Sequence, residues 1–555
     1  MDYMQIGRFG QPEILFPFQI KVIRLLVPCY CLLVLALGST LAAKEQASFS
    51  GVIDREIAGA WEANKRSPAK PATEAAFLRR VYLDLVGMVP SYPEARAFLD
   101  DQSPNKRAKL VDRLLTDERH ARHQAETWDL IFFTRNPANP SATRKRGRFQ
   151  EWLLNQFEEN VPWDALVRKI LLAEEEGSAM FHVQYRNKPE DETVALNRIF
   201  LGTQLQCARC HDHPYEEHTQ RDFYGMAGFL VRLNVREEKQ GKDKVWRIEE
   251  KSSGEVLFTG AVDETRPGQK GEPVNPKFLG DEELQEPNLP EDFKEPDYKK
   301  LKGAWPKPIF SRKQKLTEWL TSAKNPYFTK AIVNRVWAQL MGRGLVHPVD
   351  DLNPDNEASH PALFEELTRW FIEQKYDLRA LMREIVLSDA YSLASAGDDT
   401  AAFPKWYDRA RVRPLSAEEL MASMRVATGF DDAQGKDEKL PNSGKAYIMR
   451  FFGKPNDGRG RFQGGVDEHL FLNNGSQLRG MIRTKKGNLS HLLLNDEPPW
   501  EERMDRLFLS TITRFPTESE RKKLTSYVTS NEKPQEGLEE AIWALINSSQ
   551  FRFNH

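Results

Sequence analysis

The feature that most constrains this chain is the spacing of its apolar residues. They recur every three or four positions in AAFLRRVYLDLVG (75–87), KRAKLVDRLL (106–115), QEWLLNQFEE (150–159) and ETVALNRIFLGTQLQ (192–206). That spacing places them on one face of a helix and fails to place them on one face of a strand. Pro90, Pro104, Pro162 and Pro189 fall between these stretches, where a missing N–H costs least. Between Val231 and about Pro308 the pattern changes to short alternating runs, KVWRIEE and GEVLFTG, and then to PNLPEDFKEPDYKKLKGAWPKP, which reads as a small β element and a linker. Helical spacing resumes near Ser311 and continues through HPALFEELTRWFIEQ and LRALMREIVLSDAYSL. Residues 430–480 read as long loops, with two closing helices near 500–513 and 535–549. The expected fold is mainly α: a helical domain over 50–232, a β-containing insert and a Pro- and charge-rich linker over 233–308, and a second helical domain over 309–555.

Of 555 residues, 40% are hydrophobic, enough to build real cores, and 79 Lys plus Arg against 81 Asp plus Glu give a net charge of -2. The first figure excludes disorder throughout. The second argues against nucleic acid as a partner, because neutralising phosphates requires a cationic surplus. At the N-terminus Lys21 and Arg24 precede the apolar run LLVPCYCLLVLAL and the small residues GSTLAA, the order of a secretory signal over residues 1–43. Export to the periplasm or cell surface is therefore expected, with membrane association only through an uncleaved leader. Removing the leader takes Cys29 and Cys31 with it and leaves Cys207 and Cys210, too few for a disulfide framework.

Those two residues open Cys207-Ala-Arg-Cys210-His211, the CxxCH spacing of covalent haem c attachment, read here at the end of a helix. At i, i+3 and i+4 the two sulfurs and the imidazole share one face, so thioethers could hold the porphyrin while His211 ligates iron. His213, His218 and Met226 are the nearby choices for a sixth ligand. The same cluster, Cys207, Cys210, His211, His213 and His218, also suits tetrahedral zinc, and a bare CxxC can form a redox or structural disulfide. Spacing alone leaves haem c, zinc and no cofactor open.

A second constellation lies in the C-terminal half: Asn334 and Arg335 in VNRVW, Asp350 and Asp351 in HPVDDLNPDN, and Ser359 and His360 in SHPAL. Paired carboxylates with a His and an Arg can do acid–base work. The structural alternative is a helix N-cap at Ser359 followed by Pro at the helix start. The 12 Trp residues raise carbohydrate association only weakly, since Trp is more often a core residue. No dinucleotide, Walker, HExxH or GxSxG motif is present.

Taken together, FLRRVYLDLVGMVPSYPEARAFLDD, LGTQLQCARCHDHPYEEHTQRDFYGMAGFL, LTEWLTSAKNPYFTKAIVNRVWAQLMGRGLVHPVDDL and SHPALFEELTRWFIEQKYDLRALMREIVLSDAY resemble an exported two-part family of planctomycetes. In that family a cytochrome-c-like domain of unknown function precedes a planctomycete-specific domain of unknown function. The resemblance maps the family's CxxCHDHP signature onto Cys207–Pro214, and its second-half motifs onto Asn334, Arg335, Asp350, Asp351 and His360. It departs at Thr127-Trp128-Asp129 and at NPDNEAS after Asp351. It implies a cytochrome-like label and no activity. The leading expectation is an exported haem c protein passing electrons to a redox partner protein. Its rivals are a zinc- or disulfide-stabilised scaffold serving extracellular polymer degradation, and a hydrolase using Asp350, Asp351 and His360 with Arg335.

Overall fold

A computed structural model describes residues 48–135, 140–213, 217–240, 242–258, 271–301, 303–397, 404–430, 471–473, 475–495 and 498–555. The expected leader lies outside them, as do residues 431–470 of the stretch expected as loops over 430–480, whose end forms instead the helix Ser476–Ile482. Helix accounts for 55% and strand for 6%, so the fold is mainly α, as the spacing predicts. Among the described residues no helix is long and apolar enough to cross a membrane.

Among the described residues, strand structure is confined to two-stranded antiparallel ladders. Leu233–Gln240 pairs with Asp243–Glu250, Val256–Leu257 with Pro273–Val274, and Arg413–Pro414 with Phe553–Asn554. The insert is tied into both helical halves by charge. Glu286 receives Arg232 and Arg312, the latter at 2.6 Å, while Arg312 Nη1 also donates to the Gly228 and Gly254 carbonyls.

Among the described residues two apolar cores form. The larger draws on helices of both halves between Phe49 and Tyr407 together with Leu509, and the smaller on residues 420–551 together with Leu83 and Val89. The helix Glu74–Val86 reaches both cores, and every residue from Phe77 to Val86 is buried. A helix apolar on all sides belongs at the centre of a fold, yet this one also buries Arg79, Arg80 and Asp84. Each finds partners. Arg79 donates to the carbonyls of Phe551 (2.6 Å) and Thr511 (3.4 Å), and Arg80 to that of Tyr391. Asp84 accepts from Arg413 (2.8 Å), Asn554 (2.8 Å) and the Tyr391 hydroxyl (2.7 Å). Arg413 also holds Glu419 bidentately, both bonds at 2.8 Å. Burial raises the Asp84 carboxyl above its ordinary range; the same penalty acts on Glu419, where Arg413 outweighs it and keeps the carboxyl low. This ionic seam fastens the C-terminal strand and the helix Ala417–Thr428 to the central helix.

Candidate functional site: an exposed two-cysteine turn

The helix Pro189–Leu196 continues into a π-helical turn, Asn197–Leu201, in which Phe200 is buried among Phe132, Phe181 and Trp163. Widened turns of this kind often occur beside functional sites. Below it, His182 meets Glu192 through Nδ1 and donates from Nε2 to the carbonyls of Ile170 (3.1 Å) and Leu171 (3.2 Å). That buried pair secures the helix to its neighbours.

Gly202 ends the π turn in the left-handed region at φ +65, and a Cβ there would stand 2.9 Å from Leu352 Cδ1. Its carbonyl accepts the Leu352 N–H at 2.8 Å. Only glycine meets both demands without strain. The chain then passes through buried Leu205 into a short 3-10 turn, Cys207–Arg209. The expected helix therefore stops before the cysteines, which occupy a separate turn.

Ala208 is fully buried beneath this turn, while Cys207, Cys210, His211 and Asp212 are exposed. The Cys207 carbonyl accepts the N–H of Cys210 at 3.2 Å and of His211 at 3.4 Å. Around it, Arg209 pairs with Asp191 (2.9 Å), the Tyr224 hydroxyl donates to the Arg209 carbonyl (3.3 Å), and Gln220 N–H donates to Asp212 Oδ1 (2.9 Å). His213 N–H donates to the His218 carbonyl at 2.8 Å. The scaffold is fixed and the sulfurs face outward.

This arrangement overturns the haem and zinc expectations. Among the described residues no three His, Cys, Asp or Glu side chains gather closely enough to hold a metal ion. His211 turns Nδ1 back to the Asp212 carbonyl at 2.7 Å, so Cys207, Cys210, His211, His213 and His218 form no tetrahedral set. A haem also needs apolar walls, and the residues that would grip it are exposed; Met226, considered as a distal ligand, is core at 1% exposure. Nor is there a disulfide clasp, since both cysteines are free.

The second constellation is largely committed to holding its own loops. Asn334 donates to the Val346 (2.9 Å) and Val349 (3.1 Å) carbonyls and accepts from Val346 N–H (3.0 Å). It thereby knits the loop that contains the cis His347-Pro348 bond. Arg335 donates to the Arg198 carbonyl (3.1 Å), and the buried Asp350 lies 3.9 Å from the Arg198 guanidinium. Asp351 accepts from Asn353 (3.1 Å) and Asn356 (3.2 Å), a self-contained turn. His360 sits at the start of the helix Pro361–Glu373, packed on Trp406 and Tyr407, with Nδ1 3.1 Å from the Ser359 hydroxyl. Burial lowers its pKa to about 4. The structure thus joins Arg335 and Asp350 at the π turn through Arg198, which the sequence analysis missed. It does not gather Asp350, Asp351 and His360 into one group, and the hydrolase expectation falls with that.

Residues 52–235 match a family described as PSCyt2, protein of unknown function (DUF1549), and residues 312–461 match one described as PSD1, protein of unknown function (DUF1553). No curated protein and no solved structure matches the chain. The π turn and the cysteine turn lie in the first matched segment, and the loop that clasps Gly202 lies in the second. The chain therefore belongs to the family that joins a PSCyt2 half to a PSD1 half, an arrangement of unknown function.

Proposed function

We propose that this protein is an exported thiol–disulfide exchange protein whose working groups are Cys207 and Cys210. The observation that carries the reading is that both thiols are free, exposed and one turn apart on a fixed scaffold. With a rise of about 2.0 Å per residue and three residues per turn, positions i and i+3 of a 3-10 turn eclipse each other at about 6 Å. That separation falls within the Cα span of roughly 4.4–6.8 Å that a disulfide bridges. Outside the cytoplasm such a pair can exist in both oxidation states. Its partner is a disulfide or dithiol on another protein or a small molecule, and exchange proceeds through a mixed disulfide.

Oxidation of the purified full-length chain with diamide, followed by peptide mapping, tests this. The expected product is an intramolecular Cys207–Cys210 disulfide, reversed by dithiothreitol. The reduced chain should release two aromatic thiols from an aromatic disulfide reporter and end as the Cys207–Cys210 disulfide, whereas Cys207→Ser should release one and stop at the mixed disulfide. Cysteines that stay unpaired, or a reporter reaction indifferent to Cys207→Ser, would remove the proposal.

A further inference from the structure

The turn that ends the helix Phe328–Met341 carries two arginines, Arg343 and Arg411, to which the rest of the fold supplies no anion. Gly342 closes the helix at φ +74, and a Cβ there would stand 3.0 Å from Arg411 Cβ and 3.3 Å from its Cδ. The Arg411 stem therefore packs on the turn, beside the residue that Arg343 follows in the chain. Both charges act on Tyr407, and they act on each other: burial and then Arg343 lower the Arg411 pKa. The backbone beneath them is fixed. The Tyr407 hydroxyl donates to the Gly344 carbonyl (2.9 Å), Asn334 grips the chain at Val346, and Ala410 N–H donates to the Ala394 carbonyl (3.1 Å).

Neither guanidinium has an ion pair or a hydrogen bond among the described residues, and Arg343 Nε is buried with no acceptor. Neighbouring arginines are provided for: Arg409 lies 3.6 Å from Asp408, and Arg413 holds Asp84 and Glu419. A buried donor without an acceptor forfeits its hydration, and it is ordinarily met by water or an ion from outside the chain. The alternative is that these cations serve only the C-terminal end of the helix dipole. That end amounts to about half a negative charge, so two arginines leave the turn a surplus of roughly +1.5.

Such a surplus calls for a doubly charged partner. Two planar forks also call for more oxygens than a carboxylate has, because one guanidinium already occupies both of its oxygens. A phosphate group supplies about -1.5 to -2 charge at neutral pH and three strong acceptor oxygens. We propose that Arg343 and Arg411 form a binding site for a phosphate group, free or at the end of a small ester, held at the Gly342 turn by the two guanidinium forks. The site draws on nothing at the cysteine turn and stands or falls apart from the thiol reading.

Calorimetric titration of the full-length protein at fixed low ionic strength, with inorganic phosphate and with phenyl phosphate, tests it. A single site per chain is expected, with a dissociation constant below about 1 mM for at least one of the two. Arg343→Gln and Arg411→Gln should each weaken binding at least about tenfold. Arg369→Gln, which removes an exposed arginine of the helix Pro361–Glu373, should leave it unchanged. Neither Arg343 nor Arg411 bonds another side chain, so both variants should keep the parent's urea midpoint, and lost binding is then not lost folding. Tighter binding of phenyl phosphate assigns the site to an ester, and tighter binding of inorganic phosphate assigns it to the free ion. No saturable heat with either probe, equally tight binding of benzoate, or an equal loss in Arg369→Gln would overturn the proposal. So would a lowered midpoint in both variants, which would make the arginines supports of the turn.

Discussion

Two polar regions of this protein use similar residues in opposite ways. Around Asn334, Asp350 and His360 the side chains are buried and largely spent on carbonyls, amides and aromatic faces of their own loops. At the cysteine turn it is the backbone that is tied down, while Cys207, Cys210 and His211 are exposed. Buried polar groups must be satisfied, and satisfying them consumes the lone pairs and protons that chemistry would need. A cluster of catalytic residue types therefore identifies a site only when its reactive atoms are left over.

Mutations can break this contrast at either end. The largest effect is expected at the ionic seam, where Arg413→Leu leaves Asp84 and Glu419 buried without their cation. Loss of one partner from such a set costs roughly 3–5 kcal/mol, readable as a lower urea midpoint; a loss under about 1 kcal/mol would show that the seam is not a support.

Acid should act on His360 with a defined sign. Its folded pKa of about 4 lies below the ordinary 6.5, so between these values the unfolded chain binds more protons and stability falls as pH drops. Comparing parent with His360→Gln isolates that contribution, and the difference between them should change by roughly 3 kcal/mol from pH 7 to pH 4. His120, also lowered to about 4 by burial, works in the same direction, whereas Asp54, raised to about 6 by burial and Asp389, works against it. A pH-independent difference between parent and His360→Gln would mean that His360 is not held neutral.

Asn334→Ala strips one carboxamide from three backbone partners, for an expected loss of about 1–3 kcal/mol in thermal or urea unfolding. The smallest effect on stability belongs to Cys207→Ser and Cys210→Ser. At exposed positions each should shift stability by no more than about 0.5 kcal/mol while stopping exchange at the mixed disulfide. A large loss of stability there would make the turn a structural element.

Much of the fold was legible because apolar spacing reports helices directly. The helix Glu518–Ser530 escaped because Val528 alone is buried along it, so it has almost no apolar stripe; the Thr517 and Glu520 capping box was its readable signal. Asp84 and Arg413 stand more than 300 residues apart, and nothing local announces their pairing. The one hint is that charges interrupt an otherwise apolar stretch, FLRRVYLDLV. At the site the spacing of Cys207, Cys210 and His211 was visible, but the same spacing serves haem, metal and dithiol. Exposure and the direction of His211 Nδ1 separate these, and exposure is set by the folded chain around the turn, not by the spacing. Haem was favoured on spacing, and the apolar crevice it requires is a tertiary property that spacing does not carry.

The central claim is that Cys207 and Cys210 exchange electrons in pairs. Equilibrating the full-length chain in graded glutathione buffers, trapping free thiols and weighing the products tests it most directly. The account predicts one two-electron transition confined to these residues, at roughly -270 to -120 mV, the range of exchange proteins. Thiols that never pair, or a disulfide reduced only below about -300 mV as structural ones are, would contradict it.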